Sequence, residues 1–485
     1  MGFKKCGALL SRNKIDKYLI SSVILALIVR LGLIWSQPNL TPYAGMFASL
    51  DNAARNLVEG HGYVIGNEHL APFYQLPPGT STMLAGTYWL FGKYNFIYFR
   101  IIEAIIDSFG CLFMFFIGKE LFSRRVGLIS AFLYAVWLPI AYLSTWPLHD
   151  ALMPFITLVC LYFFVLGVKR KTIKFYILSG LFAGIGCYFQ PTLLLLPLFF
   201  GLALFIYNLH KYNFKQQAVN VVKVTAVSML TLVLVITPWV VRNYHVTGAL
   251  VVMRPGPWST MWEGFGEFGN NPVGAQLSDE ATYELAVKES GYNIEYLSPA
   301  YQAFFKAKVL NAIKEHPGWY AGLVAKRIPR AIFNFSELGL YSLPLIRVEY
   351  PVWMNYLYDT GPVGYNWAIK KMLQGISDGT FWVMFKTYPF GAFYLVLVWV
   401  FAIVPPLLSI FAFCIARRNW RSLILVATVP LYFILFHMFI FVASYKSIVP
   451  ASLGYIIFNA ITLEYFYGRI KGRTTVGSES TTSAS

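Results

Sequence analysis

Ten apolar stretches run along this chain, at residues 18–35, 97–117, 126–143, 151–168, 175–189, 192–207, 224–241, 390–416, 423–442 and 448–466, and only every second gap between them is rich in Lys and Arg. A helix crosses the roughly 30 Å hydrocarbon layer of a bilayer in about 20 mostly apolar residues, so each stretch reads as a span. Of the 485 residues, 57% are hydrophobic and only 13% charged. The expected fold class is an all-α polytopic membrane protein.

The basic gaps hold Lys119, Arg124 and Arg125, then Lys169, Arg170, Lys171 and Lys174, then Lys211, Lys215 and Lys223, then Arg417, Arg418 and Arg421. Together with the first 17 residues and the tail from Arg469 they contain just over half of the 39 basic residues. The short opposite turns, 144–150, 190–191 and 444–446, contain only Lys446. Basic short loops stay on the cytoplasmic side, so both termini are expected there, in a plasma membrane of bacterial or archaeal type, with the alternate loops outward. The net charge of +17 then follows from topology. It is dispersed over short loops and not gathered on one face, which argues against nucleic acid as a partner.

The first span is followed by no small-x-small cleavage site and reads as a retained anchor. Cys6, Cys111, Cys160, Cys187 and Cys414 include no metal-like pair and suggest neither disulfides nor a zinc site. The chain divides into a membrane core, 1–241, containing a first outward loop, 36–96; an outward segment, 242–389; C-terminal spans within 390–473; and a polar tail, 474–485, expected to be disordered.

In the first loop, Phe47, Leu50, Ala54, Leu57 and Val58 recur at helical spacing and form one face of a helix over 45–59. Asp51 falls on that apolar face, as either a paired structural acid or a site residue. The run 80–91 is too short to span and is expected to lie in the outer interface. The outward segment carries helical patterns at 300–316 and 317–335, the latter with Lys326, Arg327 and Arg330, and is long enough for a small, mainly helical domain.

Ionisable groups in or beside spans default to functional hypotheses. Arg30 lies in the first span, and Arg100, Glu103 and Asp107 share a face of the second, where local ion pairing is the competing explanation. His149 and Asp150 occupy an outward turn, where Asp150 could also cap the following helix. Arg242 and Asn243 end the seventh span and Lys446 follows the ninth. By topology Arg30, Arg100, Arg242 and Lys446 meet Asp51 and Asp150 at one membrane level. Single charges at helix ends can be snorkelling anchors; this set is expected to line a cavity for a phosphate group. His149, Glu103, Asn243 and Tyr63 are further pocket candidates.

Several motifs follow one another in chain order. Arg30-Leu31 and Pro38 lead to Ala-x-Asn-Leu-x-x-Gly-x-Gly-Tyr at 54–63, then Pro77-Pro78-Gly79, then Arg100 opening the second span, then Pro-Trp-x-x-Arg-Asn-Tyr at 238–244 and a Gly/Trp-rich run ending in Gly-Asn-Asn-Pro at 258–272. This order resembles the C-type glycosyltransferases (GT-C), the superfamily of protein O-mannosyltransferases, lipid A aminoarabinose transferases and the catalytic subunit of oligosaccharyltransferase.

The resemblance implies an inverting transferase that moves a sugar from a polyprenyl-phosphate donor to a lipid, glycan or protein acceptor on the outer face. A carboxylate would take the acceptor's proton and cations would stabilise the departing phosphate. On this basis Asp51 and Asp150 are the candidate catalytic acids, and Arg100, Arg242, Lys446 and Arg30 the donor phosphate ligands. Some family members use a divalent cation at the position of Asp150; no metal ligands are assigned here, and no other cofactor is expected. The chain departs from the family pattern at Ala44-Gly45-Met46, where an acid is common, at Gln190, where an arginine is frequent, and at Tyr445-Lys446. A transporter or flippase of lipid-linked saccharide, or a polysaccharide polymerase or ligase, is the alternative; no internal repeat favours a transporter. Asn39-Leu40-Thr41 and Asn334-Phe335-Ser336 fit glycosylation acceptors.

Overall fold

The computed structural model describes residues 17–37, 46–209, 213–268, 271–333, 344–358, 365–440 and 445–470. The two glycosylation triplets, Ala44, Gly45 and the tail 474–485 lie outside the described residues.

In chain order the helices are α1 (Lys17–Trp35), α2 (Met46–Val58), α3 (Gly79–Phe91), α4 (Phe96–Ser108), α5 (Gly110–Leu121), α6 (Arg124–Ala135), α7 (Leu138–Leu143), α8 (Met153–Arg170), α9 (Ile173–Cys187), α10 (Leu196–Tyr207) and α11 (Phe214–Thr247). They continue with α12 (Trp258–Phe265), α13 (Asp279–Ser290), α14 (Pro299–Glu315), α15 (Pro317–Ile332), α16 (Pro344–Tyr358), α17 (Tyr365–Asp378), α18 (Thr380–Thr387), α19 (Pro389–Ile415), α20 (Trp420–Ile440) and α21 (Ser452–Ile470). Short 3₁₀ turns, Pro191–Leu195 and Tyr445–Ala451, precede α10 and α21. A two-residue antiparallel ribbon, β1 (Val64–Ile65) with β2 (Ala71–Pro72), is the one sheet among the described residues.

Seven stretches among the described residues are long and apolar enough to cross a membrane: Lys17–Trp35, Phe96–Leu121, Met153–Arg170, Phe214–Thr247, Pro389–Ile415, Arg417–Ile440 and Ile448–Ile470. The other three expected spans are also helical, but they are shorter or broken. The third divides at Val136 and Trp137 into α6 and α7, with Pro139 in the first turn of α7. The fifth and sixth correspond to the short apolar helices Ile173–Cys187 and Pro191–Tyr207.

Helix ends follow local chemistry. The Asn95 side chain accepts the Ile97 N–H and starts α4, and Ser123 accepts the Val126 N–H and starts α6. The helices α5 and α6 then cross closely because Gly118 and Gly127 face one another; a Cβ on Gly118 would lie 2.8 Å from the Gly127 Cα.

A second, smaller core lies off the membrane bundle. Trp262, Phe265, Tyr301, Phe305 and Val309 bury one another between α12, α14 and neighbouring segments. Two hydrogen bonds fasten this unit to the end of α20: Arg327 Nη1 donates to the Met438 carbonyl at 3.2 Å and the Tyr320 hydroxyl to that of Phe439 at 2.8 Å. The same guanidinium donates to Glu267 at 2.6 Å and to the Gly264 carbonyl at 2.6 Å, so one buried arginine satisfies α12 and the last turn of α20 together.

Candidate functional site

The turn joining α7 to α8 is where charge gathers. Short α7 ends at Ser144, and the next residues are held from below by Arg100 of α4, whose Nε donates to the Thr145 carbonyl at 2.6 Å and Nη1 to the Gln37 carbonyl at 2.7 Å. Arg100 thereby directs two of its donors to backbone and pins the turn that presents His149 and Asp150.

Both of those side chains are buried, at 8% and 5% exposure. Asp150 Oδ1 accepts the Gln190 amide at 2.6 Å, and Oδ2 faces His149 Nε2 at 3.4 Å. Gln190 stands between α9 and the 3₁₀ turn Pro191–Leu195, so residues 40 apart in sequence meet here. Lys446, from the 3₁₀ turn before α21, extends its ammonium over the Trp146 ring at 5.6 Å. Arg254, in the loop after α11, lies within electrostatic reach of both Asp150 and His149. Burial holds the His149 pKa below the ordinary histidine value; Arg254 and Lys446 push the same way, and Asp150 opposes them. The imidazole is therefore neutral at neutral pH, and its Nδ1 has no partner among the described residues. His437 of α20, which hydrogen-bonds the Phe433 carbonyl at 2.8 Å, also feels Asp150.

On the far side of Arg254 lie Glu263 of α12, Asp279 at the start of α13, and Tyr296. Glu263 is buried, and its pKa is pushed up to about 8, first by burial and then by the charge and hydrogen bond of Asp279, with Arg254 opposing. Gln302 sets the start of α12 by accepting the Trp258 N–H at 2.9 Å and the Ser259 N–H at 3.3 Å.

The remaining sequence candidates sit in other sets of contacts. Asp51 accepts the Tyr88 hydroxyl on Oδ1 at 2.6 Å and Arg55 Nε on Oδ2 at 2.9 Å, within the α2–α3 unit. Arg242 Nη1 donates to the Phe73 carbonyl at 2.6 Å and Nη2 to the Tyr63 carbonyl at 2.9 Å; its guanidinium lies 4.7 Å over the Trp239 ring and 5.5 Å over that of Tyr63. The fully buried Asn243 donates to the Val251 carbonyl at 3.3 Å and accepts from Arg242. These contacts clasp the first loop to the end of α11. Beside them a groove of about 500 Å³ is lined by Leu57, Tyr63, Pro78, Met83, Phe189 and Trp239. Arg30 is inside the bundle, with Nε donating to Asp107 at 2.6 Å while the Tyr134 hydroxyl takes the other carboxylate oxygen at 2.6 Å. Glu103 is buried on α4 between Arg100 and Asp107.

The structure thus brings His149, Asp150 and Lys446 together and joins Arg242, Asn243 and Tyr63 beside the groove, while Asp51, Arg30 and Glu103 have separate partners. Arg254, Glu263, Asp279 and His437 were not singled out from sequence. Arg254 lies in the turn sequence Arg254-Pro255-Gly256-Pro257 and Glu263 in the Gly/Trp-rich run 258–272, neither of them inside an apolar stretch; His437, an ionisable group inside one, carries a signal that could have been used. Among the described residues no group of three His, Cys, Asp or Glu side chains is placed to hold a metal ion. The surroundings of Asp150 do not suit a divalent cation either: one oxygen accepts an amide, and Arg254 is close by.

Residues 75–241, about one third of the chain, match the family described as Dolichyl-phosphate-mannose-protein mannosyltransferase. That segment includes the Pro-Pro-Gly turn, His149, Asp150 and Gln190. No curated protein matches the sequence. Among solved structures, the chain is similar to the archaeal oligosaccharyltransferase AglB from Archaeoglobus fulgidus, solved with an inhibitory peptide and a dolichol-phosphate, at 12% identity and a TM-score of 0.47, covering 96% of this chain and 53% of that one. It is also similar to ArnT from Cupriavidus metallidurans bound to undecaprenyl phosphate, at 14% identity and a TM-score of 0.37, covering 94% of this chain and 79% of that one. The chain spans about half the length of the oligosaccharyltransferase.

Proposed function

We propose that the protein transfers a sugar from a polyprenyl-phosphate donor to a hydroxyl or amide acceptor, with inversion, at the end of the bundle where His149, Asp150 and Lys446 meet. The observation that carries this reading is the burial of Asp150 beside a neutral histidine, with Arg254 within electrostatic reach of the acid and Lys446 within reach of the histidine, the two cations coming from distant segments of the chain. Burial strengthens every one of these interactions relative to water.

In the transfer, the acceptor oxygen or nitrogen attacks the anomeric carbon as the bond from that carbon to the phosphate oxygen breaks. The phosphate leaves with the electron pair, and the acceptor's proton passes to the Asp150 carboxylate. The reacting carbon passes through an oxocarbenium-like state, as in glycoside hydrolysis. Lys446 supplies positive charge where negative charge builds on the phosphate. The groove beside Arg242 is apolar and opens next to a guanidinium, which suits an isoprenoid chain entering below a phosphate. Asp51 is the paired structural acid of the α2–α3 unit in this reading. The alternation of basic loops supports an outward-facing site.

The test is to incubate purified protein in detergent with a radiolabelled polyprenyl-phosphate hexose and membrane extract as acceptor, and to measure release of polyprenyl phosphate. Release by the wild type that falls at least a hundredfold in Asp150→Asn, with unaltered melting, is expected. Equal release by the two proteins would overturn the assignment of Asp150. Movement of intact donor across vesicles without release would replace transfer by transport.

A further inference from the structure

The helices α16 to α18 lie where the span α19 begins, and α16 is bonded to that beginning. Glu349 accepts the Phe390 N–H at 2.7 Å and the Gly391 N–H at 2.9 Å, two of the donors that a helix start leaves without an intrahelical partner. Trp353 Nε1 donates to the Tyr388 carbonyl at 2.9 Å, and Tyr350 meets Tyr394 edge to face. The two backbones approach so closely that a Cβ on Gly391 would lie 2.8 Å from the Glu349 carbonyl carbon. The unit is thus fixed to the end of a helix long and apolar enough to cross a membrane.

Its opposite side is apolar and uncovered. In α18, Phe381 and Met384 turn inward with Trp353, and Phe381 meets the Trp353 ring at 5.4 Å. Trp382, 54% exposed, and Val383, 66% exposed, point away from that core with Phe385, and Leu373 and Ile376 of α17 are exposed as well. The α12–α15 unit, by contrast, buries Trp262, Phe265, Tyr301 and Phe305. A cluster of large exposed apolar side chains marks a surface that something else covers. Along the chain this one runs directly into Phe390, Phe393 and Val396, exposed side chains of α19 itself.

The charges of the unit fit the same covering. Its two acids among the described residues are both engaged at helix starts: Glu349 at α19, and Asp378 at α18, where it accepts the Thr380 N–H at 3.0 Å and the Thr380 hydroxyl at 2.6 Å. The exposed cations Arg347 and Lys386 remain, the latter one residue after Phe385. Aromatic rings with a neighbouring lysine suit the boundary of a bilayer, where the ring enters the acyl region and the ammonium reaches the phosphates.

From this geometry we infer that α17 and α18 lie in the membrane interface, with Trp382, Val383 and Phe385 inserted among the phospholipids of the leaflet at which α19 begins. The covering partner is a lipid surface. This inference is independent of the transferase reading, since it concerns a face remote in sequence from His149 and Asp150.

The experiment uses the full-length protein in phosphatidylcholine vesicles and isolates the emission of Trp382 from that of the thirteen tryptophans as the difference between wild type and Trp382→Phe. Two quenchers are compared: phosphatidylcholine brominated either near the head or near the end of its acyl chains, and acrylamide in the water. An interfacial helix buries its apolar face only about 5–10 Å deep, so bromines near the head should quench the difference emission at least about twofold more than bromines near the chain end. Acrylamide should quench it weakly. Should Trp382→Phe fail to fold, as judged by melting in detergent, Val383→Trp supplies the reporter as added emission from the same face. Strong quenching by acrylamide with none by the bromolipids would place the face in water and overturn the inference. Quenching by neither, with cross-linked dimers that persist as protein is diluted in lipid, would make it a contact between two copies and overturn it equally.

Discussion

Two sets of buried charge sit in this molecule, and they differ in how completely they are satisfied. In the bundle interior, Arg30 and Asp107 are both fully buried, the carboxylate accepts Arg30 on one oxygen and Tyr134 on the other, and Arg30 also donates to the Ala26 carbonyl. At the α7–α8 turn, Asp150 takes an amide on one oxygen and a neutral imidazole on the other, and the nearby cations belong to other segments. The first set has the form of a structural pair, whose removal on one side strands a charge. The second draws its charged members from segments far apart in the chain, an arrangement that marks a candidate site. Residue type does not distinguish the two, since each is an acid with an arginine close by.

Substitutions can break or sharpen that contrast. Arg30→Met should destabilise the protein by about 4 kcal/mol, because Asp107 loses its buried cationic partner; the measure is the loss of thermal or denaturant stability in detergent. A small effect there would mean that the pair is solvated or redundant. Asp150→Asn should leave melting nearly unchanged and cost about a hundredfold or more in transfer, the reverse pattern. Asp51→Asn should lose about 1 kcal/mol of stability through its weaker contacts with Tyr88 and the part-exposed Arg55, with transfer retained. Abolished transfer in Asp51→Asn would move the catalytic acid back to the first loop. The smallest effect is expected for Arg170→Ala, which breaks the solvent-facing pair with Glu120; stability should move by roughly 0.5 kcal/mol or less and transfer not at all.

The unit spanning α12 to α15 gives the second comparison. Arg327 and Glu267 are as deeply buried as Arg30 and Asp107, yet they lie off the bundle and join two parts of the chain by bonding the Met438 carbonyl. That attachment sits one residue from His437, so the seat of this unit and the composition of the Asp150 cluster are linked through the backbone of α20.

Helix positions were largely legible in advance. The apolar face expected over 45–59 corresponds to Met46–Val58, the interface run 80–91 to Gly79–Phe91, and the pattern at 300–316 to Pro299–Glu315. Hydropathy and periodicity are properties of a continuous stretch of chain, so the sequence carries them without reference to any partner. The breaks were less legible. Val136 and Trp137 interrupt an apolar run that composition alone would continue, and only the Pro139 ring and the packing of α7 under the turn separate the two pieces.

The candidate site divides the same way. Sequence by itself determined that acids and cations accumulate at span ends, because a charge is expensive in hydrocarbon and must sit at a boundary or find a partner. It also brought forward His149, Asp150 and Lys446, which lie together. Only the tertiary structure decided that Arg242 grips the Tyr63 and Phe73 carbonyls, that Arg100 pins Thr145, and that Arg254 faces Asp150. The physical reason is range. The preference of a residue for water or lipid is set by the few residues around it in the chain, whereas the partner of a charge is whichever opposite group the packing of distant helices delivers to within a few ångströms.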